Sequence, residues 1–334
     1  MKALVLGSDR TLELVERPRP ACAAPDDVVL RVVQVGICGT DRGVLLGKFP
    51  AEPGVVMGHE AVGEVVETGR GVTTLKPGDR VIINPTLYCG LCDPCRDGVL
   101  NFCENKAGNE IGIDRDGAFA EFMRLEERFL HLIPDGMSYD RAVLVEPLAC
   151  VLNNLQAAAV TADDRVAVLG AGPIGTVTAL AASHFGASVR LLEKDPFRRD
   201  AAIAFFEGTA VTIEELASGE ADVVVDTVGS LLEQACALAA PRGRVVVMGF
   251  DERATAEVRP LELLQRGLRI IGAGDYNSQV FGRAVRMARH LPLERIVSHH
   301  FGLDRVDAAL RALGVGEGAA YAGMKIVIEP GGAA

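Results

Sequence analysis

The sequence predicts an α/β protein in two parts: a β-rich domain with inserted loops, and a domain built on a parallel sheet. Two observations carry this expectation. Up to about residue 150, short β-rich runs are separated by Gly, Pro and Asp. Beyond that point strands alternate with helical stretches, the pattern of a parallel sheet covered on both faces. A chain of 334 residues is too long for one ordinary core, and its 49% hydrophobic content is enough to fill two.

In the first part, 28–35, 61–67 and 80–84 have strand character, and Lys76-Pro77-Gly78-Asp79 is a turn. In the second part, 165–169 reads as a buried strand, 175–185 as an Ala-rich helix and 189–193 as the next strand. Further strands are expected at 223–226, 244–248 and 268–272. After about residue 290 the pattern is mixed again. The expected division is therefore 1–150 with 290–334, and 151–289 inserted between them. The segment between Glu193 and Val223 is short, so one element there is expected to be trimmed. The tail Pro330–Ala334 is expected to fray.

The formal charge of -11 and the lack of a basic run argue against nucleic acid or an anionic membrane as partner. No signal peptide is visible, and no stretch approaches the roughly 20 apolar residues that span a bilayer. The chain reads as soluble and cytoplasmic. Of its eight cysteines, half sit in one cluster, which in a reducing compartment points to metal rather than disulfides.

Gly170-Ala171-Gly172-Pro173-Ile174-Gly175 matches G-x-G-x-x-G. Alone the motif is weak; here it follows a strand, opens a helix and precedes a second strand that ends in an acid. Gly170 permits the tight turn, Gly172 lets the backbone approach a pyrophosphate, and Gly175 lets helix and strand pack closely. The helix N-terminus offers free N–H groups to phosphates. Glu193 can accept hydrogen bonds from the ribose hydroxyls of NAD, whereas a 2′-phosphate would meet like charge. Arg198 and its neighbours Lys194 and Arg199 are the nearby cations that complicate this preference. Without a ligand, the same glycines would make an ordinary turn in a sheet.

Cys89, Cys92, Cys95 and Cys103 form C-x2-C-x2-C-x7-C. Four thiolates in one short loop can close a tetrahedral zinc site, saturated and therefore structural. The competing iron–sulfur pattern has three residues before its last Cys and Pro after it; this chain has seven, and then Glu104. Three further local motifs are Gly36-Ile37-Cys38-Gly39-Thr40-Asp41, Gly58-His59-Glu60 and Val145-Glu146-Pro147. Each alone is bland, since a lone Cys or His is usually a core group and Glu-Pro often only marks a turn.

Taken together and in this order, the five motifs resemble the zinc-containing medium-chain dehydrogenases, and most closely the branch of sorbitol, threonine and sugar dehydrogenases. The resemblance covers nearly the whole chain. It implies a GroES-like β-barrel-type catalytic domain with an inserted Rossmann domain, and an active cleft at their junction. It also implies hydride transfer between a secondary alcohol and NAD, or less readily NADP, with one catalytic and one structural zinc ion. Cys38 and His59 become catalytic zinc ligands, with either Glu60 or Glu146 as the third. Thr40 becomes the hydroxyl that takes the substrate proton. The zinc would act as a Lewis acid on the substrate oxygen. Relatives often carry a proton-relaying His soon after the C-G-[ST]-D motif; here Arg42-Gly43-Val44 stands in that stretch.

Weaker matches are Gly249, near the expected path of the cofactor, and Gly272-Ala273-Gly274-Asp275-Tyr276, at the strand end beside the nicotinamide. Plain sheet packing would explain these equally. Asp275 and Tyr276 are candidate substrate contacts, and an acid at 275 would favour a neutral or amine-bearing polyhydroxylated substrate. The bland reading of Asp275 is a cap for a turn or a helix start near Asn277. The resemblance further implies a homodimer or homotetramer, paired through the edge strand near 269–274. Two other readings share the fold. A zinc-free quinone or enoyl reductase would lack Cys38, His59 and the cysteine loop, and a non-catalytic NAD(H)-binding protein could lose the zinc ligands.

Overall fold

The computed structural model describes residues 1–209, 211–212 and 216–331. The last three residues of the tail, and positions 210 and 213–215 of the short segment after Glu193, lie outside the described residues. By its internal contacts the chain divides into two compact units. One comprises Met1–Glu146 with Asn277–Ala334, the other Pro147–Tyr276. The helix Ser278–Ala288 thus falls in the first unit, although the sequence pattern had grouped it with the inserted segment. The physical reason is its apolar face: Phe281, Ala284, Val285 and Ala288 are buried, and the Phe281 ring lies 4.8 Å from that of His131.

The first unit is organised by the ten-residue strand Asp27–Gly36. Its alternation of Val and Leu with few polar residues suits a strand packed on both sides. It pairs antiparallel with Glu60–Thr68, with Phe122–Glu126 and with Lys325–Glu329. Arg80–Ile83 and Leu130–Leu132 extend one side of the sheet, and Val297–Gly302 extends the other by pairing parallel with Lys325–Glu329. The strand pair Lys2–Leu6 and Leu12–Glu16 packs its apolar residues into the same core as Val28, Leu30, Met57, Phe119 and Ile326. Chain from both ends of the sequence therefore meets around one strand, and this brings Lys325 to residues some three hundred positions earlier.

The second unit is a six-stranded parallel sheet. Its spatial order is Val211–Thr212, Ser188–Leu192, Arg165–Leu169, Ala221–Asp226, Ala239–Val247, Arg269–Ile271. The order reverses after Arg165–Leu169, the switch point at which doubly wound sheets bind dinucleotides. The helix Pro173–His184 begins there, with Gly172 as its N-cap and Pro173 in its first turn, where a missing N–H costs nothing. A side chain at Gly175 would collide with the Gly170 carbonyl, so only glycine lets this helix start so close to the strand. Arg269–Ile271 lies at the sheet edge, with Ile270 exposed. Among the described residues no helix is long and apolar enough to cross a membrane.

Candidate zinc centres and dinucleotide site

Two segments of the first unit converge on one small volume. Cys38 immediately precedes the helix Gly39–Leu45, and its backbone N–H donates to Asp41 Oδ2 at 2.8 Å. His59 ends the loop before the strand Glu60–Thr68, and Glu60 opens that strand opposite Gly36. One ligand atom from each of Cys38, His59 and Glu60 can be chosen so that all lie within 4.8 Å of one another. Glu146, in the first turn of the helix Val145–Ala157, is buried and outside that cluster, but its charge acts on His59 and Lys325.

The donor set fits a zinc ion. A thiol, an imidazole and a carboxylate are its usual ligands, and three of them leave a position open. His59 turns Nδ1 toward Asp41 Oδ1, 3.9 Å away; both atoms are buried and neither has a hydrogen-bond partner. A small approach of the two would put the ring proton on Nδ1 and leave Nε2 as a metal donor. Thr40 Oγ1 stands 3.5 Å from the Cys38 sulfur.

The electrostatics are those of charges crowded away from water. Desolvation, reinforced by Glu60, pushes the Cys38 thiol up. Burial also raises the Asp41 carboxyl above the usual carboxylate range. For His59, burial favours the neutral ring, but the charges of Cys38 and Asp41 outweigh it and hold the imidazole well above its ordinary value. A bound dication reverses this logic, favouring the thiolate and the neutral ring.

Lys325, which no motif singles out, opens the strand Lys325–Glu329. Its side chain is 2% exposed, and its ammonium bonds Glu60 Oε2 and donates to the Ile37 carbonyl at 3.0 Å. Burial would push this ammonium down; the Glu60 and Cys38 charges outweigh burial and hold it above its ordinary value. Asp41 lies inside the C-G-T-D motif, so its position was legible even though its contact with His59 was not. For Lys325 the only signal in the sequence is one cation heading an apolar strand.

The residue in place of the usual relay histidine is engaged elsewhere. Arg42 Nε donates to the Leu313 carbonyl at 3.1 Å, and its guanidinium lies over the Tyr321 ring. A guanidinium does not give up a proton near neutrality, so Arg42 is no relay.

The four-cysteine loop forms a second cluster, with all four cysteines free of disulfides. The pairs Cys89–Cys95 and Cys92–Cys103 each stand 3.9 Å apart, sulfur to sulfur. A zinc tetrahedron with sulfur at about 2.3 Å has edges of roughly 3.8 Å. The N–H groups of Leu91 and Cys92 point at the Cys89 sulfur at 3.3 and 3.4 Å and hold its thiol down to about 5, while burial pushes Cys95 up to about 12. With four donors, this cluster leaves no position for substrate.

In the second unit, Glu193 follows the strand Ser188–Leu192 directly rather than ending it. Its carboxylate accepts from Ala171 N at 2.7 Å and Asp195 N at 2.8 Å, tying it to the Gly-rich turn. The Arg198 guanidinium lies over Gly172, about 3.5 Å from where a Cβ would stand. Pro173 and Ile174 are half-buried on the helix start. Gly249 packs its backbone on Thr227–Gly229 and donates to the Asp226 carbonyl at 2.8 Å. Motif reading missed Asp226, whose buried carboxylate accepts from Val228, Gly229 and Leu231 N at 2.9 Å and shapes that turn. Asp275 is exposed, and Tyr276 is fully buried. The helix Ser278–Ala288 is capped by Asn277, which accepts from Gln279 N and Val280 N at 3.0 Å. Asp275 is therefore not the cap of this helix.

A saturated thiolate cluster, an open Cys–His–Glu cluster and a doubly wound sheet with a Gly-rich switch point together define a zinc-binding, nucleotide-linked dehydrogenase. Comparison with known proteins agrees. The alcohol dehydrogenase GroES-like domain family matches residues 24–135, and the zinc-binding dehydrogenase family matches residues 173–290. The chain is 33% identical to D-altritol 5-dehydrogenase of Agrobacterium fabrum, over 88% of this chain and 93% of the relative. It is 29% identical to sorbitol dehydrogenase of Halalkalibacterium halodurans, over 99% of both. A zinc-binding dehydrogenase from Sinorhizobium meliloti 1021, solved bound to NADP, superposes with a TM-score of 0.88 at 31% identity, covering 98% of this chain and 99% of its own. The chain belongs to the zinc-dependent medium-chain alcohol and polyol dehydrogenase family, whose activity is NAD(P)-linked oxidoreduction of secondary alcohols.

Proposed function

We propose that the protein is a zinc-dependent dehydrogenase of a polyhydroxylated secondary alcohol, of polyol, sugar, cyclitol or amino-sugar type, with NAD as its preferred cofactor. The observation that carries this reading is the cluster of Cys38, His59 and Glu60 within one unit, separate from the four-thiolate loop. It supports two zinc ions per chain: a catalytic one on Cys38, His59 and Glu60, and a structural one on Cys89, Cys92, Cys95 and Cys103. Glu60 is favoured over Glu146 as third ligand because its oxygen lies inside the cluster.

When bound, zinc supplies Lewis acidity toward the alcohol oxygen, and the nicotinamide supplies the hydride acceptor. The protein's residues do the rest. Asp41 holds the imidazole of His59 in one tautomer. Thr40 Oγ1, next to Cys38, takes the proton of the substrate hydroxyl and passes it onward to water or a cofactor hydroxyl. In the second unit, Gly170, Gly172 and the helix start at Pro173 and Ile174 cradle the pyrophosphate, and Glu193 receives the adenine-side ribose. Gly249 keeps the neighbouring strand end close, and Arg198 adds positive charge over Gly172.

The names of the altritol and sorbitol relatives support a polyol substrate. The exposed carboxylate of Asp275 supports neutral or amine-bearing alcohols over anionic ones. The short, partly exposed edge strand Arg269–Ile271 supports pairing with a second copy as a homodimer, or as the dimer unit of a tetramer. The deciding experiment is NAD+ reduction against a panel of polyols, sugars, amino sugars and cyclitols, with zinc measured in the same preparation. Two zinc ions and turnover of at least one neutral or amine-bearing polyol are expected. One zinc ion per chain, unchanged by Cys38→Ala, would remove the catalytic centre.

A further inference from the structure

Lys325 is the one Lys or Arg among the buried polar residues described. A lone buried ammonium is costly unless it is paired, and here the fold is built to pair it. Gly36 sits in the sheet between Glu60, its antiparallel neighbour on one side, and Val327, its neighbour on the other. A Cβ at Gly36 would collide with Glu60 Oε2 and with the Lys325 side chain. The missing side chain is therefore the space through which Lys325 reaches Glu60. The second bond, to the Ile37 carbonyl, holds the ammonium in place.

The surrounding charge explains the arrangement. The carboxyls of Asp41, Glu60 and Glu146 and the Cys38 thiol are gathered in this region, more negative charge than a dication neutralises. Lys325 offsets the excess, and it does so on one particular oxygen. With Oε2 committed to the ammonium, Glu60 has only Oε1 to offer a metal. We infer that Lys325 is a positioning residue which restricts Glu60 to one-oxygen coordination, weakens it as a donor, and so keeps the remaining metal position open to substrate. The inference rests on the proposed reading of Cys38, His59 and Glu60 as metal ligands.

The test uses the full-length protein with cobalt in place of the catalytic zinc. In Lys325→Met the freed carboxylate can add its second oxygen. The visible cobalt absorption should then weaken, as it does when a four-coordinate ion gains a fifth donor. With that second oxygen on the ion, metal release to a chelator should also slow by about tenfold. In a Glu60→Gln background the same substitution should change neither readout, which a mere packing role for Lys325 would not produce. If Lys325→Met folds only when Glu60→Gln accompanies it, the ion pair serves the fold and the inference falls. Overturning results are a wild-type spectrum and release rate in Lys325→Met, equal effects in both backgrounds, or failure of both variants to fold. Absence of cobalt from the Cys38 centre of the wild-type protein would instead sink the assignment of the ligands themselves.

Discussion

Asp41 Oδ1 stands 3.9 Å from His59 Nδ1, and neither of these buried atoms has a hydrogen-bond partner. The carboxylate is held in place by the Cys38 N–H on its other oxygen, so one acid lies against both proposed ligand residues. Asp41→Ala should lower affinity for the catalytic metal by about 10–100-fold. Chelator competition measures this, and the zinc of the four-cysteine loop should be retained as an internal control. Unchanged affinity at the Cys38 centre would mean that His59 is oriented by something else.

The Thr40 hydroxyl stands 3.5 Å from the Cys38 sulfur. Thr40→Ala should cut turnover by about two to four powers of ten through lost proton transfer. NADH binding, read by fluorescence, should be unaffected, and Thr40→Ser should keep most of the activity. A Thr40→Ala enzyme of full activity would show that the proton leaves by a route that avoids this hydroxyl.

The four-cysteine loop should behave as a brace. Two of its sulfur pairs already stand at tetrahedral spacing, and its short helix Asp93–Arg96 makes little structure of its own. Cys103→Ser should lose one zinc ion per chain and lower Tm, with kcat per remaining folded molecule close to the parent value. A variant that keeps its Tm but loses kcat would assign this loop to catalysis.

Motifs of contiguous residues were legible in the sequence because local chemistry demands them. Gly170 to Gly175 must turn tightly onto a phosphate, and four cysteines in fifteen positions have few uses outside metal binding. The long strand Asp27–Gly36 was likewise visible from its apolar run. Pairings across long separations were not. Nothing near Lys325 announces that it will meet Glu60, because the contact depends on the register of two strands on either side of Gly36. The return to the first unit at Asn277 was hidden for a related reason. The helix Ser278–Ala288 has the same amphipathic pattern whichever core it joins, and only the packing of Phe281 on His131 decides.

One ion pair gives a pH dependence away from any metal. Arg141 donates from Nε and a terminal nitrogen to Glu294, at 2.6 and 2.7 Å, and so holds this carboxyl below its ordinary value of 4.5. A depressed folded value means that the stabilisation is present above the unfolded value and is lost as pH falls through the folded one. Both side chains are partly exposed, so the pair should contribute no more than about 1 kcal/mol. Arg141→Ala should therefore lower Tm slightly at neutral pH, and the two proteins should converge as the pH is taken well below 4.5. A gap that stays constant through that acid range would assign the loss to the packing of Arg141 rather than to its charge.

The choice between cofactors sets two neighbouring charges against each other. Glu193 is anchored by Ala171 N and Asp195 N, so it cannot easily swing away from a 2′-phosphate, and the repulsion should persist in the bound state. Arg198 lies over Gly172, on the side of the turn where a pyrophosphate common to both cofactors would rest. Its attraction should thus help NAD and NADP alike and leave the discrimination to Glu193. The expected result is a kcat/KM for NAD above that for NADP by about tenfold or more, equivalent to one charge-assisted contact. Arg198→Ala should lower both values by a similar factor, whereas Glu193→Ser should narrow the gap between them. If Arg198→Ala harms NADP alone, the guanidinium reads the 2′-phosphate instead. A wild-type preference for NADP would then follow from the same geometry with the roles of the two residues exchanged.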